Sequence, residues 1–336
     1  MIRSVLSIIH RFFKIIRIRY LLLFIFAVLM VTSCARPRTL NLAPAPIGSF
    51  DHQERYVELP SSIENAPITG YLVRPSKDGR YPCVVLLHGK GGWWRAYIRY
   101  ARKLASHGFS SLVINYYSVH QVDLEGLRTP FVQRKSNFER QNEDINRAVS
   151  AFAKSTHCIQ NKVGLIGFSL GADKAFRAAA SLPVVRAVVA YYGPYDYEAL
   201  IKKRINAVVL AMATEDLLRW KEYLEVHSPA NKIQSTKAST LMFHGVTDRL
   251  IPVQQSFTMM RRLRARESGY TQLKLYEGTG HNFVLRRRTP REREDSIRLT
   301  LIFLKNHLSQ AAEPPNERSV RKKRADLHSE SDKQDS

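Results

Sequence analysis

The chain has 336 residues, 44% hydrophobic and 24% charged, so it is long enough for one large domain with a full core and is unlike a disordered or fibrous chain. The 52 Lys and Arg residues against 29 Asp and Glu give a formal net charge of +23. Such a balance occurs in proteins that bind nucleic acid, an anionic membrane or an acidic substrate, and also in solvated basic surfaces. The sequence has no nucleic-acid-binding motif and no basic–aromatic alternation, so it predicts no nucleic-acid partner and favours a solvated basic surface.

Residues 1–33 are predicted to be an export signal. A basic segment precedes the uncharged apolar run Leu21–Val31, which is shorter than the ~20 residues that a membrane-spanning helix needs. The Val-Thr-Ser triplet before Cys34 resembles the lipobox of bacterial lipoproteins, in which the cysteine is lipidated and begins the mature chain. By that resemblance, Ala35 favours the outer membrane. We therefore expect an exported lipoprotein, anchored through lipid on Cys34 at the periplasmic face of the outer membrane, with an uncleaved signal anchor as the alternative.

The rest of the chain divides into three parts by composition. Residues 34–52 are rich in proline and lack periodicity, which predicts a tether between the lipid and the domain. Residues 53–310 carry alternating apolar and amphipathic stretches, which predicts one globular domain. Residues 311–336 are polar and mixed in charge, which predicts a disordered tail.

Within the globular domain, short apolar runs alternate with amphipathic stretches. The predicted strands cover residues 55–59, 68–74, 83–87, 109–117, 163–168, 184–192, 240–244 and 273–276. The predicted helices cover residues 97–107, about 142–152, 172–182, 253–264 and 290–308. A polar loop is predicted at 118–138 and a small helical lid at about 194–232. The alternation predicts a mostly parallel, doubly wound α/β sheet that binds ligands at the carboxyl ends of its strands.

Two cysteines fall inside the predicted domain. If Cys34 carries lipid, Cys83 and Cys158 remain in an oxidising compartment. Cys83 opens one predicted strand and Cys158 precedes another, so a disulfide can form if those two strands are neighbours. The sequence does not give the order of the strands. The disulfide therefore stays open, and two separate buried thiols are slightly favoured.

The segment Val163–Gly171 contains a G-x-S-x-G pattern. An apolar strand ends in Gly167-Phe-Ser-Leu-Gly171, and an alanine-rich stretch that favours a helix follows. The pattern places Ser169 on a tight strand-to-helix turn, where side chains two residues before and after the serine would collide. Ser169 is therefore a candidate nucleophile, provided that a base and an acid follow it in the chain.

A serine hydroxyl is a weak nucleophile and needs a base. Of the eleven histidines, His281 is the best candidate, because it lies in a glycine-flanked loop directly after a predicted strand. His88 and His244 each precede a glycine at the end of a strand, and we expect them to shape turns rather than to act as bases.

The acid that would hold the imidazole is predicted to be Asp248, which follows the predicted strand 240–244. Glu215 and Asp216 are the second candidates, because residues 207–212 before them could form a strand. Asp173 is disfavoured, since it lies inside the helix after the serine. A serine followed by an aspartate and then a histidine is the order in which α/β-hydrolases carry their catalytic residues.

Over about residues 53–308, the chain resembles the dienelactone hydrolase family. The segments that carry the resemblance are Tyr81-Pro-Cys-Val-Val-Leu-Leu-His-Gly89, Gly167-Phe-Ser-Leu-Gly171, Tyr191-Tyr-Gly193, Phe243-His-Gly-Val-Thr-Asp248 and Tyr276-Glu-Gly-Thr-Gly-His-Asn-Phe283. The resemblance implies an α/β-hydrolase fold with an eight-stranded, mostly parallel sheet and helices on both faces. It also implies a triad of Ser169, Asp248 and His281, and an oxyanion hole formed by the backbone N–H groups of Leu170 and Lys90.

The chain departs from the family pattern at two positions. Dienelactone hydrolases use a cysteine nucleophile, where this chain has Ser169. They also carry a glutamate beside the nucleophile, where this chain has Gly89. These departures favour a serine esterase built on the same fold over true dienelactone activity.

The sequence thus predicts a serine hydrolase that cleaves small carboxylic esters or lactones through an acyl-enzyme, without a metal or an organic cofactor. The alternatives are a peptidase or amidase with the same triad, and a non-catalytic binding lipoprotein on the same fold. The oligomeric state stays open.

Two groups of side chains bear on the substrate. The run Arg286–Arg288 after His281 could attract an anionic substrate, although a solvated basic run is the favoured interpretation. Trp93, Trp94, Tyr117 and Tyr192 could line an acyl site, but ordinary packing near the ends of the sheet is at least as good an explanation.

Overall fold

The computed structural model describes residues 50–93, 95–118, 129–204, 214–266, 269–286 and 288–308. The predicted signal peptide, the lipidation site Cys34, most of the tether and the tail at 311–336 lie outside these ranges and stay predictions. Across the described ranges, no helix has the length and the apolar character needed to cross a membrane.

The centre of the fold is an eight-stranded sheet with the strand order β1-β2-β4-β3-β5-β6-β7-β8. The strands are β1 (His52–Leu59), β2 (Ile68–Pro75), β3 (Tyr81–Leu87), β4 (Ser110–Asn115), β5 (Cys158–Phe168), β6 (Val185–Tyr191), β7 (Ser239–Gly245) and β8 (Thr271–Tyr276). Strand β2 is antiparallel to both of its neighbours, and the pairings from β4 through β8 are parallel. The expected eight-stranded, mostly parallel sheet is confirmed.

Helices cover both faces of the sheet, because the central strands are apolar on both faces. The helices are α1 (Arg95–Ala105), α2 (Phe131–Lys154), α3 (Leu170–Ser181), α4 (Tyr197–Arg204), α5 (Glu215–Val226), α6 (Pro229–Lys232), α7 (Gln254–Arg264) and α8 (Pro290–Leu308). Val85 and Leu165 point to one face and pack with α2, α3 and α7. Val84 and Ile166 point to the other face and pack with α1 and α8. The period of two along each strand thus places consecutive residues in two separate cores.

Helix α2 corrects the predicted polar loop at 118–138, because the helix already begins at Phe131. Its buried face is partly polar: Arg134 is 1% exposed and Gln141 is fully buried. A search for apolar positions with helical spacing therefore misses the first turns of this helix. The predicted start of this helix at about residue 142 is therefore wrong, since Asn142 lies in the middle of the helix.

The segment between β6 and β7 is helical, as the predicted lid at 194–232 requires. Helices α4 and α5, followed by α6 and a short 3₁₀ turn, occupy its described part, while residues 205–213 lie outside it. Tyr197, Leu200 and Trp220 of this segment form a small apolar cluster with Phe138 of α2. The segment is therefore held against α2 by a core of its own.

Cys83 and Cys158 form a disulfide, with their Cα atoms 5.4 Å apart. The favoured interpretation as two separate thiols is therefore wrong. Strands β3 and β5 are neighbours in the sheet although β4 lies between them in the chain, and Cys158 pairs with Tyr81, two residues before Cys83. The fold brings the two cysteines together through this crossover, which the sequence alone does not reveal.

We expect the double variant Cys83→Ala/Cys158→Ala to lose about 2–5 kcal/mol of unfolding free energy, because the disulfide closes a loop across a sequence separation of 75 residues. Urea unfolding measures this loss. A thiol reductant should destabilise the wild type by a similar amount and leave the double variant unchanged. Equal stability of the oxidised wild type and the double variant would contradict a stabilising disulfide.

Candidate active site

Ser169 lies on a sharp turn between β5 and α3, with φ 54° and ψ −119°. This positive φ is rare for a residue other than glycine and marks local strain. A Cβ atom at Gly167 would collide with the carbonyl oxygen of Gly171, and one at Gly171 would collide with the carbonyl oxygen of Leu87. The steric reason given for the glycines of the G-x-S-x-G pattern is therefore confirmed.

Three polar side chains meet beside this turn. His281 Nε2 is 3.0 Å from Ser169 Oγ, and His281 Nδ1 is 2.6 Å from Asp248 Oδ2. Ser169 follows β5, Asp248 follows β7 and His281 follows β8, so all three lie at the carboxyl ends of parallel strands. The hydrogen bonds form one chain from the hydroxyl through the imidazole to the carboxylate, which is an arrangement that can activate a hydroxyl as a nucleophile.

The Asp248 carboxylate is buried, with the residue only 6% exposed. Its Oδ1 atom accepts hydrogen bonds from the backbone N–H groups of Leu250 and Ile251, at 2.8 and 2.9 Å. Burial by itself would raise the pKa of Asp248, but hydrogen bonds from His244, His281 and Ile251 outweigh it and hold the pKa well below its usual range. The carboxylate is thus ionised opposite His281.

The other candidate acids lie elsewhere. Glu215 and Asp216 occupy the first turn of α5. Asp173 is buried inside α3 and pairs with Arg177 at 3.0 Å. The acid that contacts His281 is Asp248, which was the first choice among the acids considered from the sequence.

The expected oxyanion donors are the backbone N–H groups of Leu170 and Lys90. The N–H group of Leu170 lies in the first turn of α3, where backbone N–H groups have no hydrogen-bond acceptor within the helix. On the other side, the N–H group of Gly89 donates to the hydroxyl of Tyr97 at 3.0 Å, so that Lys90 is the next residue that could face the serine.

Gly89 occupies the position where the family pattern has a glutamate. A Cβ atom there would lie 3.2 Å from the Cβ atom of Ser169 and 3.2 Å from the carbonyl oxygen of Phe168. These distances are tighter than ordinary packing, so a side chain at 89 would crowd the serine. The bare backbone lets the end of β3 approach the turn closely.

His88, which was expected to shape a turn, is fully buried and stacks on Tyr116 with ring centroids 3.9 Å apart. Its Nδ1 atom is 2.8 Å from the carbonyl oxygen of Gly89, and this contact fixes the residue that precedes Lys90. Burial lowers the pKa of His88 to about 4, so the side chain is neutral at physiological pH.

The aromatic residues considered for an acyl site separate into two groups. Tyr192 is fully buried, has φ 42°, and its ring centroid is 4.7 Å from that of His281. Trp93 instead packs on Tyr56 and Tyr71 of the edge strands, 6.2 and 6.3 Å away. Trp94 lies outside the described residues. Tyr192 is thus part of the site, whereas Trp93 contributes to packing at the edge of the sheet.

A cavity of about 460 Å³ opens beside His281. Its lining combines apolar and cationic side chains, among them Arg249, Leu250, Phe283, Arg286 and Arg288. Arg287, the middle residue of the basic run, lies outside the described residues. Arg249 was missed in the sequence, although it directly follows Asp248 and could have been found from that position.

Comparisons with known proteins identify the family of the chain. A family model described as "Dienelactone hydrolase family" matches residues 68–308. A Bradyrhizobium protein named "Probable 2-oxo-3-(5-oxofuran-2-ylidene)propanoate lactonase" is 26% identical over 244 residues, which cover 71% of this chain and 89% of that protein.

Solved structures show the same architecture. An esterase from Pyrobaculum calidifontis superposes with a TM-score of 0.59 at 19% identity, over 76% of this chain and 85% of that one. An acylaminoacyl peptidase from Pyrococcus horikoshii superposes with a TM-score of 0.60 at 17% identity, over 79% of this chain and 43% of that longer one. At these identities the likeness establishes the α/β-hydrolase fold. With a family match over well more than half of its length, the chain belongs to the dienelactone hydrolase family and is a hydrolase that acts on ester bonds.

Proposed function

We propose that this chain is a serine esterase or lactonase in which Ser169 is the nucleophile, His281 the general base and Asp248 the acid that orients the base. The observation that carries the proposal is the unbroken hydrogen-bond chain, 3.0 Å from serine to imidazole and 2.6 Å from imidazole to carboxylate. Both distances are within hydrogen-bond reach, which supports proton transfer from Ser169 to His281.

The reaction follows from the positions of the atoms. His281 Nε2 takes the proton of Ser169 as Oγ attacks the carbonyl carbon, and the N–H groups of Leu170 and Lys90 donate to the oxyanion, each worth ~3 kcal/mol. His281 then gives the proton to the leaving alkoxide as the ester C–O bond breaks. A water molecule, deprotonated by the same imidazole, then attacks the acyl carbon, and His281 returns the proton to Ser169 Oγ as the bond to the acyl group breaks and the acid leaves.

Two alternatives use the same fold. The likeness to an acylaminoacyl peptidase extends to the fold alone, so amide cleavage has no support of its own. A protein that only binds its ligand has no need for a strained serine aligned with a base and a buried ionised acid. The strain at Ser169 and the desolvation of Asp248 therefore favour catalysis over binding.

The cavity beside His281 supports a substrate with a negative charge. Arg249, Arg286 and Arg288 line it together with the apolar side chains of Leu250 and Phe283. A carboxylate on an otherwise apolar acyl or lactone group would satisfy both kinds of lining. The name of the Bradyrhizobium relative describes such a molecule, a lactone that carries a propanoate.

Export from the cytoplasm is part of the proposal. The disulfide between Cys83 and Cys158 supports it, because structural disulfides persist in oxidising compartments. The predicted signal and the predicted lipid on Cys34 would then hold the domain at a membrane through the tether.

We expect Ser169→Ala to lower ester hydrolysis by about 10⁴-fold or more, because it removes the nucleophile. The free energy of unfolding should stay within about 1 kcal/mol of the wild type. Turnover of 4-nitrophenyl acetate and labelling by a fluorophosphonate measure the first effect, and urea unfolding measures the second. Full labelling of the alanine variant would show that another residue reacts, and an unlabelled wild type would favour the binding protein.

We expect Asp248→Asn to change how stability depends on pH. An unfolded aspartate has a pKa of about 3.9, whereas folding lowers the pKa of Asp248, so its ionised form contributes stability that is present above pH ~4 and is lost as the pH falls. Between pH 4.5 and 3.0, the unfolding free energy of the wild type should fall by about 1 kcal/mol more than that of the variant. Urea unfolding across this range tests the difference, and parallel pH curves would contradict it.

We expect Arg286→Gln to discriminate between substrates by their charge. The value of kcat/KM for the anionic 4-nitrophenyl monoester of succinate should fall about tenfold, because one cationic side chain of the cavity is removed. The value for the neutral pentanoate ester should change less than about twofold. Arg261→Gln, on an exposed face of α7, is the control and should change neither. Equal losses for both esters would refute recognition of the charge.

A further inference from the structure

A second histidine lies behind the triad. His244 is on β7 and is fully buried. Its Nδ1 atom is 2.7 Å from Ser256 Oγ, and its Nε2 atom is 2.9 Å from the carbonyl oxygen of Ile251 and 3.5 Å from Asp248 Oδ2. The imidazole therefore joins the end of β7, the turn that carries Asp248 and the first turn of α7.

These contacts assign the hydrogen on one ring nitrogen. The carbonyl oxygen of Ile251 can only accept a hydrogen bond, so Nε2 of His244 must carry a hydrogen and donate it. The same Nε2 atom lies 3.5 Å from Asp248 Oδ2, so the positive end of the N–H dipole is close to the carboxylate and stabilises its charge. Ser256 fixes the opposite edge of the ring at Nδ1 and so prevents it from turning.

Both oxygen atoms of the Asp248 carboxylate thus have polar partners. Two backbone N–H groups of its own turn occupy Oδ1, and His281 and His244 share Oδ2 at 2.6 and 3.5 Å. Removal of the N–H group of His244 would leave the Ile251 carbonyl buried without its donor and would weaken the field at Oδ2. Both changes would loosen the turn on which the position of the acid depends.

We propose that His244 is a positioning residue of the esterase, which holds Asp248 Oδ2 and the 248–251 turn in the geometry that aligns His281 with Ser169. This role rests on the proposed function, since it presupposes that Ser169 is the activated nucleophile. His244 touches neither Ser169 nor the cavity beside His281, so it acts only through Asp248.

Two amide variants separate the positioning role from simple packing. In His244→Gln, the side-chain amide nitrogen can take the place of Nε2 and keep a donor facing Ile251 and Asp248. In His244→Asn, the amide reaches only the place of Nδ1 and keeps a contact with Ser256, while the donor toward the turn is lost. The two variants have equal charge and similar polarity, so each serves as the control for the other.

The test measures how fast Ser169 reacts with a fluorophosphonate in the full chain, resolved into a maximal rate of labelling and a half-saturating concentration. We expect His244→Asn to lower the maximal rate about 10- to 100-fold with an unchanged half-saturating concentration, because the acid is displaced while the cavity is not. We expect His244→Gln to stay within about fivefold of the wild type. The proton NMR signal of the hydrogen between His281 Nδ1 and Asp248 should move upfield in the Asn variant only.

Rates are compared at temperatures where thermal unfolding shows each variant to be folded. An equal loss in both variants, or a wild-type rate in His244→Asn, would overturn the positioning role. If His244→Asn does not fold, the variant Ser256→Ala tests the proposal instead. It removes the hydrogen bond that fixes the His244 ring and should lower the maximal rate of labelling about fivefold. An unchanged rate would refute the proposal. An unlabelled wild type would instead refute the proposed function, so the two failures remain distinct.

Discussion

The site depends on one buried charge. Burial of an ionised carboxylate costs free energy of folding unless hydrogen-bond donors surround both of its oxygen atoms. Asp248 meets this condition with two amides of its own turn and two imidazoles. The loop that carries His281 can approach the end of β7 closely because that strand ends at Gly245, where a Cβ atom would collide with the carbonyl oxygen of Thr279. The loop that carries His281 is thereby packed directly on the strand that carries the acid.

The same close approach recurs at the nucleophile. The turn at Ser169 can form because Gly167 and Gly171 have no side chains, so that neighbouring backbone segments approach them closely. Gly89 likewise places no side chain beside the serine. In both places, glycines at or beside the end of a strand allow another backbone segment to approach closely. Ser169, Asp248 and His281 lie shortly after the ends of three strands, so the sheet positions these side chains relative to one another.

Much of this could be predicted from the sequence, because the relevant signals are local. Ser169 was recognisable from the glycines around it, and Asp248 and His281 from their places after apolar strands. What failed depended on distant contacts. The first turns of α2 could not be predicted because Arg134 is buried although it is charged, and it therefore breaks the apolar pattern. The disulfide escaped prediction because the adjacency of β3 and β5 arises from the crossover through β4, which no local pattern encodes.

Under the proposed mechanism, the two departures from the family pattern affect the same developing charge, the oxyanion. The Cβ atom of a glutamate at position 89 would lie 3.2 Å from the Cβ atom of Ser169. Its side chain would start close to where negative charge develops during attack on an ester. Under the proposed mechanism, a second negative charge there would oppose the attack of Ser169 on an ester. With glycine at 89, this position adds no charge beside the developing oxyanion. Gly89 is therefore compatible with Ser169 as the proposed nucleophile, and both departures from the family pattern support the same proposed mechanism.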